Sequence, residues 1–422
     1  MPNDERVPQR ATHNHTHTMT SVDLREAHGA DSTGDTPIND LLETVTQEDD
    51  VEIVLPRGRY LLDDRVLVDG NADVTIRGSP HATLVVERRF AGPILGIGWA
   101  GEEPGTVTVE DLTLDVRADG VGQRPLALFA KWNLDVANVS VRGRRDAMDD
   151  NINTVNLGVT RESGRGTVRN LRLPSGGEWM GRERQTKEFV GVNVEPGTHE
   201  GTLTLRDCYV QGFANNSYYL YRDSTGGTVR LVDCVAADGG LSAFRTDKDD
   251  VCVGCKASID VAGKPYDGAI GIWPQGGGTF RECTIERESG ENKLIMDVRA
   301  DETARLENID VLNRGNGDIM DWRSDAGHMV VDGLTVRDEN DDGDENDYYT
   351  SRIRRGNVTL RNVDYRTQGD QRRGIYFEGG DRIRVRNSRF DVDGPVAMEF
   401  EDCGEDVDLD DANEYGDADV RR

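Results

Sequence analysis

The sequence predicts an all-β solenoid: a single parallel β-coil of about 12 rungs behind one N-terminal capping helix. Three observations carry this. One phrase, apolar-x-apolar-x-(Asn/Asp/Gly)-apolar-x-apolar, recurs from residue 107 onward, for example at 107–114, 134–141, 229–235, 304–311 and 358–365. Aligning the copies puts Leu112, Val139, Leu171, Cys208, Cys234, Cys255, Cys283, Ile309, Leu334, Val363, Ser388 and Ala412 in one column. That is about one member every 27 residues, a solenoid spacing and shorter than the roughly 40–45 residues of a propeller blade. The position before the column is mostly Asn, Asp or Gly (Asp111, Asn138, Asn170, Asp207, Asp233, Gly254, Asn308, Gly333, Asn362, Asn387, Asp411), as a tight bend with left-handed backbone angles requires.

The elements follow in order. Residues 1–34 are polar and irregular and read as a flexible leader, with His13, His15 and His17 alternating in it and Met19 as a second candidate start. Residues 35–50 hold the capping helix. Thr36 is placed to cap it, Pro37 suits its first position, and Ile38, Leu41, Leu42 and Val45 follow the i, i+3, i+4, i+7 rule. Its expected task is to cover the open edge of the first rung. From residue 51 to 422 the alternation has period two, so the rest is strand, with the column pointing inward. The widest gap in the column, 171–208, contains a polar loop at 176–188 with Trp179 and Met180 near its tip, the expected wall of a groove.

Charge narrows the functional classes. There are 79 acidic against 50 basic side chains, a formal charge of −29, with 36 % apolar and 6 % aromatic residues. Phosphate neutralisation needs a basic surface, so a nucleic-acid binder is disfavoured. No apolar run reaches the roughly 18 residues of a membrane helix, and Met1 to Arg10 lacks an apolar signal core, which points to a cytoplasmic protein and away from a membrane. The 44 Arg against 6 Lys, set among so many acids, resemble proteins of salt-in halophilic archaea or their viruses. Six Cys in this length fit free thiols in a reducing compartment. Within Cys252-x-x-Cys255, continued alternation sends Cys252 outward and Cys255 inward, so no zinc or redox pair is expected.

Three segments carry a family resemblance. Gly34-Asp-Thr-Pro-Ile-Asn-Asp-Leu-Leu, Val54-Leu-Pro-Arg-Gly-Arg-Tyr-Leu-Leu and the rung Ile383-Arg-Val-Arg-Asn-Ser-Arg-Phe resemble right-handed parallel β-helix proteins of the pectate-lyase-like superfamily, over about residues 34–416. The resemblance implies a polysaccharide partner lying along one outer sheet face, and either lyase or glycoside hydrolase action on an acidic or surface glycan. The alternative is a non-catalytic glycan- or protein-binding β-helix; a virion spike is weakened because the chain ends at its last rung. Polygalacturonase phrases are only echoed, at Asp149-Asp150, Gly327-His328-Met329 and Arg352-Ile353-Arg354.

Reading turn and outward residues of successive rungs gives the candidate site. Asp223 and Asp247 fall one rung apart, within the spacing of a retaining carboxylate pair. Arg245 or Lys248, with Asp247, Asp249 and Asp250, offers instead the base and cation site of β-elimination. Tyr219, Tyr221, Trp273, Arg299, Asp321 and Arg323 are the candidate substrate contacts, with Trp132 and Trp179 as further stacking residues. The competing reading is a ladder of surface ion pairs, and parity at Arg245 is open, since a one-residue slip sends it inward. No cofactor is required. Asp338, Asn340 and Asp342 match the first half of an acidic calcium loop, but Tyr349 stands where position twelve needs Glu, and a solvated acidic insertion is the competing reading.

Overall fold

The computed structural model describes residues 19–47, 50–70, 72–147, 151–181, 187–223, 226–296, 302–323, 327–340, 348–354 and 356–422. The chain is a right-handed parallel β-helix with three faces, every strand pairing being parallel. The first two faces join around a bend into one 24-stranded sheet, and the third is a separate 14-stranded sheet taking one strand from each coil. The 14 third-face strands define about 13 turns, close to the dozen expected; Val51–Pro56 and Val74–Val86 belong to coils that precede the first column member, Leu112.

The bend between the first two faces is made by the residue before the column. Asp111, Asn138, Asn170, Asp207, Asp233, Asn308, Asn362 and Asn387 all have φ between 45° and 56°, with Gly254 and Gly333 at 63° and 80°. Glu282 adopts φ 53° as well, although its side chain is not one that favours the region. In the coil of Val74–Val86, Gly78 packs directly against the next corner: an added Cβ would lie 2.1 Å from the Asp111 carbonyl oxygen. Asn and Asp tolerate this backbone because the short side chain bonds locally. Here they also bond axially: Asn138 Nδ2 donates to Asp111 Oδ1 at 2.8 Å and Asn170 Nδ2 to Asn138 Oδ1 at 3.0 Å. A second run links Asn387 to Asn362 at 2.7 Å and Asn362 to Asp332 at 2.6 Å.

Eleven column members, Leu112 through Ser388, are buried to 3 % exposure or less. Ala412 departs from the expectation: it is exposed, and Asp411 does not take the left-handed backbone. The column ends one coil early because Asn413 closes the last rung, accepting from the Ser388 amide at 3.0 Å and donating to the Val385 carbonyl at 2.9 Å.

Cys252 is also corrected. It is fully buried, in register between Leu231 and Phe280, while Val251 and Val253 are half-exposed. The left-handed residue turns the chain so that inward positions on either side of the bend are three apart rather than two: Leu205 and Cys208, Leu231 and Cys234, Cys252 and Cys255, Phe280 and Cys283. Carrying the two-residue alternation through the corner therefore inverted one strand. The five buried cysteines are all free thiols inside the core.

The N-terminal end is more built than the leader reading allowed. Thr20–Asp23 forms a strand paired with Val51 to Val54, and α1, Leu24–His28, is capped by Asp23, whose carboxylate accepts from the amides of Arg25 and Glu26. This strand, not the predicted helix, covers the edge of the first face. The predicted helix is α2, Asn39–Val45, shorter than residues 35–50 and without a side-chain cap. It starts late because Pro37 and Ile38 bridge to the second face, Ile38 donating its amide to the Leu61 carbonyl at 3.0 Å. Ile38, Leu42 and Val45 plug the end of the core. Among the described residues, no helix is long and apolar enough to cross a membrane.

Candidate functional site on the third face

Each third-face strand alternates, so one residue per coil forms an outward column along the axis. Register fixes its members as Asn156, Asn193, Tyr219, Arg245, Trp273, Met296, Asp321, Arg352, Tyr376 and Glu399. Beneath them, Tyr218 and Phe244 face inward and stack with ring centroids 5.4 Å apart. That settles the parity at Arg245: Phe244 is in and Arg245 is out.

Four of the expected residues do come together. The Arg245 guanidinium carbon lies 4.0 Å from the Trp273 ring centre, 4.8 Å from Tyr219 and 5.8 Å from Tyr221. Gln275 accepts from Arg245 Nε at 2.5 Å. Asp223 is exposed at the rim with φ 62°, its carboxylate accepting from the Tyr221 hydroxyl at 2.8 Å. Toward the N-terminal coils the column closes over, Asn156 and Asn193 being 2 % exposed. The Trp179 ring lies 6.1 Å from that of Tyr266; Met180 is exposed, and residues 182–186 of that loop lie outside the described residues.

Asp247 does not face this platform. It is 1 % exposed, and its oxygens accept from the amides of Arg222 and Lys248, each at 2.9 Å. Lys248 itself is exposed. Asp250 is buried behind them and holds Arg222 through contacts of 2.8 and 3.3 Å, while also accepting from the amides of Val229 and Asp247. These residues build the corner from the third face to the first. His199 lies in the same corner, its Nδ1 accepting from the Val159 amide at 3.2 Å and its Nε2 3.3 Å from the Thr228 carbonyl. Burial and the nearby Arg222 pull its pKa down to about 4. Sequence reasoning missed His199 and Arg222; their only signal was a spacing of one coil from Thr228 and Asp250.

A second group lies two coils beyond Trp273. Asp321 is 2 % exposed, and both Nε and Nη2 of Arg323 lie 3.1 Å from its Oδ2. Lys293 and Arg354 each stand 3.9 Å from it. Asp318 is beside it, and burial pushes its carboxyl above the ordinary range, against the pull of Arg352 and Lys293. Arg299 lies outside the described residues, as do Asp149, Asp150 and Asp342.

The calcium-loop reading fails at the two described positions. Asp338 is 1 % exposed and its Oδ2 is taken by Arg372 at 2.6 and 3.0 Å, its Oδ1 by Asn313 at 2.7 Å. The Asn340 amide donates to the Gly315 carbonyl at 3.0 Å and to Asn316 at 3.2 Å. Both face a buried hydrogen-bonded corner instead of an exposed loop. No group of three or more His, Cys, Asp or Glu among the described residues is placed to hold a metal ion.

No known family profile and no curated protein matches the chain. Among solved structures it is similar to the Streptococcus pneumoniae surface protein and adhesin PfbA, at 12 % identity and a TM-score of 0.49, over 90 % of this chain and 100 % of that one. It is similar to the catalytic domain of a GH87 α-1,3-glucanase in complex with tetrasaccharides, at 12 % identity and a TM-score of 0.41, over 99 % and 70 %. It is also similar to the Dettilon tailspike protein, at 7 % identity and a TM-score of 0.40, over 95 % and 68 %.

Proposed function

We propose that the protein binds a glycan along the outer surface of the third face, as a carbohydrate-binding β-helix. The observation that carries this is the outward platform of Tyr219, Arg245 and Trp273 on three adjacent coils. Aromatic faces and a guanidinium fixed by Gln275 supply stacking surface and planar donors for sugar hydroxyls or a carboxylate. Lys293, Arg323 and Arg354 continue the cationic line, which favours an acidic glycan. The commitment of Asp247 to two backbone amides removes the carboxylate pair expected with Asp223, and so favours binding over cleavage at the platform.

Cleavage has one observation on its side, further along the face. Burial raises the pKa of Asp318, which lies beside Asp321 and its three cations Lys293, Arg323 and Arg354, so two carboxyls and a cationic cluster meet on this face as glycoside cleavage would need.

The test is calorimetric titration of the full chain with tetragalacturonate and with neutral glucose and galactose tetramers, followed by product analysis. Trp273→Ala and Arg245→Ala should each weaken binding at least tenfold while circular dichroism stays unchanged. Equal affinity of both variants and the parent chain would end the platform reading. Release of shorter products that Asp318→Asn abolishes would promote the enzyme reading over the binding one.

A further inference from the structure

The second face carries a different feature near the N-terminal end, away from the third-face platform. A groove of about 760 Å³ runs between the arm at residues 31–36 and the first coils. Arg57, Arg59 and Arg142 line it, together with the hydroxyls of Thr33, Thr83 and Thr113, and no carboxylate is among its lining residues. On a chain of net charge −29 that composition is unusual.

The spacing is set by the fold. Arg59, Thr83, Thr113 and Ser140 are successive partners across neighbouring strands, and Arg142 lies two residues beyond Ser140 on the last of them. Three steps of about 4.8 Å separate the end arginines by roughly 14 Å along the axis. The groove thus has cations at both ends and hydroxyls between.

Its outer wall is held in place before any ligand arrives. Asp31 turns the arm by accepting from the Thr33 amide at 2.9 Å, the Thr33 hydroxyl at 2.7 Å, and the amides of Asp35 and Thr36 at 2.8 Å each. These bonds pull its pKa down to about 2, so it stays ionised and satisfied within its own turn. The arm sits hard on Gly58: a Cβ there would come 2.7 Å from Ser32 Cβ, and the Arg59 amide donates to the Ser32 carbonyl at 2.9 Å.

The nearby carboxylates are already engaged: Asp31 within its turn, Asp35 by the Thr33 hydroxyl at 3.1 Å, and Asp115 by Arg117. Asp115 is 4 % exposed and pairs with Arg117 at 2.7 and 2.8 Å, leaving Arg59 at 4.0 Å with its side chain 52 % exposed. Among the described residues, neither Arg57 nor Arg142 makes an ion pair. Guanidinium groups are the side chains best matched to planar or tetrahedral oxyanions.

We infer that this groove binds a short saccharide carrying sulfate or carboxylate groups at both ends of a span of about 14 Å. The end arginines take the anionic groups and the threonines take the sugar hydroxyls between them. At an ionic strength of about 0.15 M the screening length is roughly 8 Å, which mutes the repulsion from distant carboxylates but not contact with the groove arginines.

The experiment titrates the full chain at that ionic strength with three probes: a polysulfated maltotetraose, tetragalacturonate and neutral maltotetraose. At least one anionic probe should bind ten or more times tighter than the neutral one. These titrations are made in the Trp273→Ala background, which silences the third-face platform; there the added Arg59→Gln/Arg142→Gln pair, with unchanged circular dichroism, should lower the remaining anionic binding at least tenfold. Which anionic probe wins assigns sulfate or carboxylate. Failure of both anionic probes to bind, or equal binding once the pair is added, overturns the inference. Loss of binding in Trp273→Ala alone would also overturn it, by placing the ligand on the third face and leaving the platform reading intact.

Discussion

The corner that carries the Arg245 platform should depend on one buried ion pair. Arg222 and Asp250 have side chains 1 % and 0 % exposed. Replacing Asp250 by Asn keeps the shape but strips the charge facing the guanidinium. Breaking a buried pair from one side costs about 3–5 kcal/mol, because the remaining charge stays desolvated. Arg222 keeps two other acceptors, the carbonyls of Gly227 and Leu220, which puts the expected loss toward the lower end, about 3 kcal/mol. Asn also offers one acceptor oxygen where Asp250 uses two, for the amides of Val229 and Asp247. Equilibrium unfolding in urea measures the loss, and amide hydrogen exchange at Val229 and Asp247 locates it. The Asp250→Leu/Arg222→Leu pair should recover most of the stability, since exchanging both partners for apolar groups leaves no orphan charge. A loss below about 1 kcal/mol in Asp250→Asn, or a double variant worse than the single, would refute the account of this corner.

His199 gives a pH dependence of definite sign. Its folded pKa of about 4 lies below the ordinary 6.5, so its contribution is present above pH 6.5 and is lost as pH falls toward 4, by up to about 3 kcal/mol. Asp250, raised by burial to about 6, acts oppositely: its contribution is present below about pH 4 and is lost as pH rises to 6. The two partly cancel in the parent chain, so the readout is the difference between parent and His199→Gln across pH 4–7; parallel stability curves would contradict the assignment. At the bend, Asn362→Ala should cost about 1–3 kcal/mol, from left-handed strain at φ 51° plus its bonds to Asp332 and Asn387. Asn362→Gly removes the bonds but not the backbone freedom and should cost less than half as much in thermal or urea unfolding; equal costs would show that strain plays no part.

What could be read in advance follows from which side of the backbone selection acts on. Inward positions repeat because each coil must present a similar shape to the next, so Leu112 through Ser388 and the residues that turn the bend announced themselves as a period. The errors at Cys252, Ala412 and the leader share a cause: each lies where the period is interrupted, at a corner or at an end. Cys252 needed the three-residue step across a left-handed bend, and Thr20–Asp23 has too short an alternation to be told from coil without its partner at Val51. Corner chemistry was illegible for another reason. Arg222, Asp250 and His199 are brought together by coil-to-coil stacking across 20 to 30 residues, and nothing in their local sequence distinguishes them from surface charges.

The same logic separates the fold of this protein from its ligand. Outward residues touch no neighbour that must fit a core, so register alone decides who stands beside whom, and changing them leaves the coil in place. Tyr219, Arg245 and Trp273 form a platform only because Tyr218, Phe244 and Ile272 lock three strands in register from inside. Arg59 and Arg142 face one another across threonines only because Leu84 and Leu114 do the same beneath the second face. A substitution in either inner row should therefore disturb binding through register, with loss of stability, whereas a substitution in either outer row should alter binding with the coil unchanged.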